Sequence, residues 1–282
     1  MDSCKPEDDM NPTDYELYIS ISADKYPDIS PDGNLIAYYH QSLESPEPES
    51  YPSGLYVMDI GGTNRRMLLR GNHWSPSWSP DGQWLVFISG GTLQITNLEG
   101  DSIRTFEGIN NVPLSFPDWS KDGKSILFNS SFVNGGGVFM CNPAFNNVRQ
   151  LLNQIQFSGF SGRLTQNSER IIYEKVSHNW EGGEIFIIDT LGQIDNRITN
   201  DNLDDREPQL SPNGNQIACS KNVRIYVMNS DGLNQLKLDF GKHPTWSHNG
   251  QFIIYSNANQ DFTKEVLWKI DINGKNKVQL TF

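Results

Sequence analysis

Five histidines are the side chains best suited to hold a metal ion, because neutral imidazole is a common protein ligand for transition metals. They are His40, His73, His178, His243 and His248. By the strand arrangement derived below, His73, His178 and His243 would share one face, where their convergence would form a metal site. No two histidines stand four residues apart as a local ligand pair. We therefore expect solvated loop histidines and no bound cofactor.

A second group of residues is suited to recognition rather than catalysis. Loops expected on that same face carry aromatic rings beside charged groups. Trp and Tyr set among polar groups are typical anchors for a partner protein or for stacking on sugar rings. The predicted binding residues are Trp74, Trp180, His73, His178, His243, Tyr51, Asp205 and Arg206.

A four-residue phrase recurs along the chain, and its acidic position invites a calcium interpretation. Its five clear copies are Ser30–Gly33, Ser79–Gly82, Ser120–Gly123, Ser211–Gly214 and Ser247–Gly250, and Thr165–Ser168 is a degenerate sixth. Each copy supplies only one carboxylate or amide, and the copies fall in different repeats. Ser, Pro, Asp and Gly in this order favour a type I turn, so the phrase predicts turns rather than metal sites.

The same phrase defines the elements that position these residues. Its copies lie 36 to 49 residues apart, in the range of solenoid and propeller repeats. A large apolar residue such as Trp78 precedes each phrase, and an apolar run such as Leu85–Ile88 follows it. A third strand such as Leu55–Asp59 then ends on a carboxylate or amide, and a polar strand closes the unit. Each repeat therefore predicts a four-stranded antiparallel sheet with two apolar faces.

A sheet that is apolar on both faces needs neighbours to cover it. Six such sheets predict an all-β fold, a six-bladed β-propeller of four-stranded antiparallel blades over residues 16–282. We expect the segment Glu16–Ser20 to join the last blade and latch the ring. The polar residues beside the apolar positions of the first strands should line the central channel. They are Asp28, Ser77, Asp118, Arg163, Gln209 and Thr245.

Composition and charge exclude several classes of function. Ala is scarce and Asn abundant, which argues against a helical bundle. The net charge of −12 predicts repulsion of phosphate backbones and anionic lipids, so nucleic acid is not an expected partner. No apolar run reaches the roughly 20 residues of a membrane-spanning helix.

The three cysteines show no metal or disulfide spacing. Cys141 and Cys219 lie in apolar strand runs and are expected to be buried. Cys4 lies in a polar, acidic leader over residues 1–15, which we expect to be disordered. This leader resembles the mature end of a bacterial lipoprotein with Cys4 as the lipidated residue, and the alternative is a plain disordered tail.

The segment Pro76–Gly82 with the following Trp84–Phe87, and Leu55–Asp59 with its equivalents, resembles the repeat of TolB-type β-propellers. The resemblance covers residues 16–282. The same repeat is known in the propeller domains of prolyl oligopeptidase-like peptidases and in oligogalacturonate lyases. TolB itself has a further N-terminal α/β domain, for which this sequence has no counterpart.

The resemblance implies a non-catalytic binding propeller of the bacterial cell envelope. We expect it to be periplasmic or anchored to the outer membrane and to recognise a protein or glycan at the channel mouth. A closed ring needs no second subunit to be stable, so we expect a monomer. The alternative is a metal-dependent polysaccharide lyase of the oligogalacturonate type, using His73, His178 and His243. A peptidase of the related kind needs a Gly-x-Ser-x-Gly nucleophile turn, which the sequence lacks, so we expect no enzyme.

Overall fold

The computed structural model describes residues 21–108, 113–130, 137–153, 161–165, 167–176, 182–191, 195–201 and 203–282. Within these ranges the regular elements are 24 β-strands. No helix in the described part of the chain is long and apolar enough to cross a membrane. The strands are β1 (Ser22–Ile29), β2 (Leu35–Ser42), β3 (Gly54–Asp59), β4 (Arg66–Arg70), β5 (His73–Trp78), β6 (Trp84–Ser89), β7 (Thr92–Asn97), β8 (Ile103–Phe106), β9 (Leu114–Trp119), β10 (Ile126–Ser130), β11 (Gly137–Cys141), β12 (Arg149–Asn153), β13 (Gly162–Leu164), β14 (Arg170–Val176), β15 (Gly183–Asp189), β16 (Asp195–Arg197), β17 (Asp205–Leu210), β18 (Gln216–Lys221), β19 (Arg224–Asn229), β20 (Leu236–Phe240), β21 (Lys242–Trp246), β22 (Phe252–Ala258), β23 (Lys264–Asp271) and β24 (Val278–Gln279).

These strands form four separate four-stranded sheets and one eight-stranded sheet. The separate sheets are β5–β8, β9–β12, β13–β16 and β17–β20, each an antiparallel meander. The large sheet runs β21-β22-β23-β1-β2-β3-β4, with β24 also paired to β23. Its two halves are joined by a short parallel pairing of β1 with β23, in which Ser22 lies opposite Lys264 and Ala23 opposite Glu265.

The prediction of six four-stranded blades is therefore wrong, since the described residues form four separate blades of four strands. The strands of the first and last repeats are hydrogen-bonded into one sheet by the β1–β23 pairing. The repeat counts strands correctly but does not encode which sheet edges pair with each other. The predicted latch Glu16–Ser20 and the leader over residues 1–15 lie outside the described residues.

The sheets surround a central channel whose wall is built from the first strand of each repeat. Strands β1, β5, β9, β13, β17 and β21 contact one another in that order, and β21 contacts β1, so the circle is closed. The all-β propeller expectation is confirmed in this general form.

Apolar side chains fill the layers between adjacent sheets. In one layer, Leu55 and Val57 pack against Trp78, Leu85 and Phe87 of the following sheet. The inner-strand tryptophans Trp78, Trp119 and Trp246 are buried, as are the free thiols Cys141 and Cys219. The predicted burial of the two cysteines is confirmed, and burial raises the pKa of the Cys141 thiol to about 12.

The repeated phrase forms turns, as the sequence predicts. In the first copy the Ser30 hydroxyl donates to an Asp32 carboxylate oxygen, which also accepts the backbone N–H of Asn34 at 3.1 Å. The Ser30 hydroxyl in turn accepts the N–H of Leu35 at 2.9 Å, and Gly33 closes the turn at a φ of +76°. The same bonds recur in the copies at Ser79, Ser120, Ser211 and Ser247. The Asp or Asn side chain of these phrases therefore accepts hydrogen bonds within its own turn.

Polar residues near the ends of the inner strands join neighbouring sheets. Asp28 accepts the backbone N–H of Trp78 at 2.9 Å, and the Trp78 indole donates to the Asp28 carbonyl at 3.0 Å. Asp118 accepts the N–H of Leu164 at 2.7 Å and pairs with Arg163 at 3.2 Å. A side chain in one repeat thus satisfies a buried N–H of the next repeat, which fixes the spacing of the inner strands.

Replacing Asp118 by Ala should lower the free energy of unfolding by about 1–3 kcal/mol, because the buried N–H of Leu164 loses its acceptor. Urea denaturation monitored by tryptophan fluorescence measures the change. The control Glu99→Ala removes an exposed carboxylate and should change stability by less than about 0.5 kcal/mol. Equal stabilities of the two variants would show that Asp118 does not join the sheets.

Candidate binding site at the channel mouth

A bulge interrupts five of the inner strands where they approach the channel axis. The residues at these bulges have positive φ, which is strained for side chains larger than Gly. The register with the second strand shifts at each of them. The bulge residues are Tyr26, Ser75, Phe116, Glu207 and His243, and each is followed by a proline, Pro27, Pro76, Pro117, Pro208 or Pro244. Proline suits this place because the interrupted ladder needs no N–H there.

The bulge residues narrow the channel between two cavities. Tyr26, Phe116, Glu207 and His243 line a constriction of about 20 Å³. On the turn side a cavity of about 250 Å³ is lined by Asp28, Asp118, Arg163, Gln209 and Thr245, together with residues of the turns. We call this space the turn-side cavity. Five of the six residues expected to line the channel lie here. The sixth, Ser77, is buried and accepts the backbone N–H of Trp119 at 3.1 Å.

On the opposite side lies a larger space of about 580 Å³, which we call the mouth cavity. It is bounded by the beginnings of β1 and β21, the ends of β2 and β18, and parts of β17 and β23. Three carboxylates and three cations face it, and one exposed leucine, Leu43, stands among its lining residues. The charged residues are Asp204, Glu207, Glu265, Lys25, Arg206 and Lys242.

Glu207 and His243 form the central pair of the mouth cavity. The imidazole Nε2 lies 3.1 Å from Glu207 Oε1, and the His243 backbone N–H donates to Glu207 Oε2 at 2.6 Å. Burial acts to raise the pKa of Glu207, but its interactions with His243 outweigh burial and hold that pKa below its usual value. An ionised carboxylate only accepts hydrogen bonds, so Nε2 carries the proton. The Tyr26 ring packs on the imidazole with centroids 4.0 Å apart.

A second buried carboxylate, Glu174, supports this pair from behind the cavity wall. It accepts the Glu207 N–H at 2.6 Å and the Ser161 hydroxyl at 2.8 Å, and Arg206 lies 3.4 Å away. Burial raises the pKa of Glu174 to about 7, although the Arg206 charge opposes the shift. An acid that titrates near neutral pH therefore lies behind the wall of the mouth cavity.

Two of the predicted binding residues, Arg206 and His243, line the mouth cavity. Asp205 precedes Arg206 but is fully buried on the other side of the strand, 3.2 Å from the Lys221 ammonium. Burial raises the pKa of Asp205 to about 6. Asp205 therefore belongs to the sheet interior, because alternate residues of a strand point to opposite faces.

The other predicted residues that fall within the described ranges do not line this cavity. The Tyr51 hydroxyl donates to Asp24 at 3.1 Å and its ring stacks on His40 at 3.5 Å, in a cluster outside the cavity lining. His73 contacts the Arg70 carbonyl at 2.9 Å, and Trp74 packs against a hydrophobic core cluster. His178, Trp180 and the proposed lipidation site Cys4 lie outside the described residues.

The predicted binding residues leave out several charged or aromatic lining residues, among them Tyr26, Lys25, Glu207, Lys242 and Glu265. The sequence could have indicated Tyr26 and Glu207 as lining residues, because each of them directly precedes the proline that recurs in the inner strands. Glu265 gave no signal, since it lies in a third strand and reaches the cavity only through the pairing of β23 with β1. Among the described residues, no group of three or more His, Cys, Asp or Glu is arranged to hold a metal ion.

The titration of Glu174 makes stability depend on pH. Between pH 4.5 and about 7 an unfolded glutamate releases its proton while folded Glu174 keeps it, so the free energy of unfolding falls as pH rises through this window. Because Glu174→Gln cannot ionise, the free energy of unfolding of the variant should rise relative to that of the wild type by up to about 3 kcal/mol as pH increases through this window. Urea denaturation at a series of pH values measures the difference. Parallel curves for the two proteins, or the same gain in the exposed control Glu99→Gln, would contradict this role.

Comparison with known proteins supports the fold. No family model matches the chain. Two curated relatives match parts of it at 32% identity: the uncharacterized peptidase YuxL of Bacillus subtilis over 121 residues (40% of this chain, 18% of the relative), and the Tol-Pal system protein TolB of Alcanivorax borkumensis over 93 residues (29% of this chain, 20% of the relative). The matches thus span about a fifth of the length of each relative.

Solved structures resemble the whole chain at lower identity. TolB from Acinetobacter baumannii superposes with a TM-score of 0.70 at 16% identity, covering 99% of this chain and 85% of that one. An oligogalacturonate lyase in complex with manganese gives a TM-score of 0.63 at 10% identity, covering 92% of this chain and 78% of that one. The chain therefore has a β-propeller fold similar to that of TolB.

Proposed function

We propose that the protein is a non-catalytic propeller of the bacterial cell envelope that binds a protein or glycan at the mouth cavity. The observation that carries the proposal is a concave space of about 580 Å³ at one end of the channel, walled by charged side chains held in fixed pairs. Convergent polar groups in a preformed cavity are typical of binding sites. The similarity to TolB supports a setting in the envelope.

The charges of the mouth cavity favour a polypeptide over a neutral glycan. Arg206 lies 2.8 Å from Asp204, and Lys25 lies 3.9 Å from Glu265, so both signs of charge are presented side by side. A surface of this kind selects a partner of complementary charge pattern. Leu43, 42% exposed, adds an apolar contact to the same cavity.

Export and anchoring are part of the proposal. An exported protein with Cys4 lipidated, residues 1–15 as a tether and residues 16–282 as the binding unit would present the mouth cavity to envelope components as a monomer. Mass spectrometry of protein expressed from the natural gene would detect the lipid on Cys4.

The binding proposal is tested by changing the mouth cavity and leaving the rest of the ring intact. The double variant Leu43→Arg with Lys242→Glu alters the shape and charge of the cavity. The matched control, Lys121→Glu with His248→Arg, makes the same net change of charge at exposed residues of the turn-side cavity. The partner is first cross-linked in envelope fractions, identified by mass spectrometry and purified. Its affinity for the mouth variant should then fall at least tenfold while the control is unchanged, and equal affinity for the two variants would reject the mouth as the site.

The lyase alternative gives a separate prediction. His73 contacts the Arg70 carbonyl and His243 contacts Glu207, so each described member of the proposed ligand set already has a protein partner. Incubation with polygalacturonate and manganese should produce no absorbance from unsaturated uronates. A manganese-dependent rise that is lost in His243→Ala would establish the lyase and end the non-catalytic proposal.

A further inference from the structure

Two polar atoms in the wall of the mouth cavity are buried without a hydrogen-bond partner. They are Oε1 of Glu265 and Nδ1 of His243. The two side chains are only 7% and 9% exposed, and both residues line the cavity. Buried polar atoms in folded proteins are nearly always bonded, so a pair of unbonded atoms in one cavity wall points to a ligand that supplies the missing bonds.

Both atoms call for a hydrogen-bond donor. The Glu265 carboxylate accepts only, and its other oxygen, Oε2, lies 3.9 Å from the Lys25 ammonium. Because His243 donates from Nε2 to Glu207, Nδ1 of the neutral ring is an acceptor. The missing group therefore carries N–H or O–H donors and, beside a carboxylate, is best positively charged.

We propose that the mouth cavity binds an ammonium or guanidinium group, the Lys or Arg side chain of a partner polypeptide, which donates to Glu265 Oε1 and His243 Nδ1. The inference deepens the proposed function and rests on it for the identity of the partner as a polypeptide. The Tyr26 ring, packed on His243 in the same wall, offers an aromatic face to the cation.

The charges around the two acceptors are compatible with an incoming cation. The Arg206 guanidinium is already held by Asp204 at 2.8 Å and Glu174 at 3.4 Å, so it does not compete for Glu265. Lys25 and Lys242 also act on Glu265, and the Lys25 ammonium at 3.9 Å makes only a loose contact. Burial raises the pKa of Glu265, so a bound cation would stabilise its ionised form. The net charge of −12 attracts cations over longer range.

The test uses small probes of defined charge. N-acetyl-arginine amide and N-acetyl-lysine amide are titrated into the full-length protein by calorimetry, with N-acetyl-citrulline amide as the neutral analogue of the arginine compound. The two cations should bind saturably and the citrulline compound at least tenfold more weakly. Glu265→Gln should weaken the cations about tenfold or more, as expected for one charge-assisted hydrogen bond. The control Glu99→Gln removes an equal charge from an exposed site and should leave affinity unchanged.

A second variant gives a change of opposite sign that misfolding could not produce. Lys25→Met removes the competing ammonium and should tighten binding of both cations. The inference would be overturned if neither cation bound saturably, or if the citrulline compound bound as tightly as the cations. It would also be overturned if Glu265→Gln left the affinity for the cations unchanged and Lys25→Met weakened it. Intact cation binding with no envelope partner would count against the proposed function alone. If the partner bound Glu265→Gln with the same affinity as the wild type, that result would count against this inference alone.

Discussion

Each sheet of this protein has two apolar faces, and water must be excluded from both. Strand interiors such as Leu85–Ile88 are fully buried, and the tryptophans at the inner strands fill the layers between sheets. An isolated sheet would leave half of this surface in water, so the sheets are stable only in a closed arrangement. The circle of contacts from β1 through β21 and back to β1 meets that requirement. The channel at the centre follows from the packing of the sheets.

The inner strands depart from regular pairing where they line the channel. In a continuous ladder every second side chain of each inner strand would point toward the channel axis. The bulges at Tyr26, Glu207 and His243 instead place large side chains at positive φ, where they separate the mouth cavity from the turn-side cavity. Strain of this kind persists only when the surrounding structure enforces it. Here the enforcement comes from the following prolines and from polar residues such as Asp118 that join adjacent sheets.

The repeat predicts most of the fold because turns and strand alternation are local properties of the chain. Ser30, Asp32 and Gly33 specify their turn within four residues, and the buried tryptophans follow from the same register. The number of separate sheets could not be obtained in this way, because the β1–β23 pairing joins residues that lie more than two hundred positions apart. The lining of the mouth cavity is subject to the same limit. Arg206 and His243 lie on first strands and are among the residues that the sequence predicts for this face, whereas Glu265 reaches the cavity through that distant pairing.

The parallel pairing of β1 with β23 also has a consequence for biosynthesis. Ala23 is synthesised more than two hundred residues before its pairing partner Glu265. Until Glu265 has been made, β1 cannot pair with β23 and the ring stays open. The incomplete ring then exposes one apolar sheet face at each of its two ends. Contacts between residues so far apart in the sequence form slowly. The newly made protein is therefore most vulnerable to aggregation and to proteases before β1 and β23 pair.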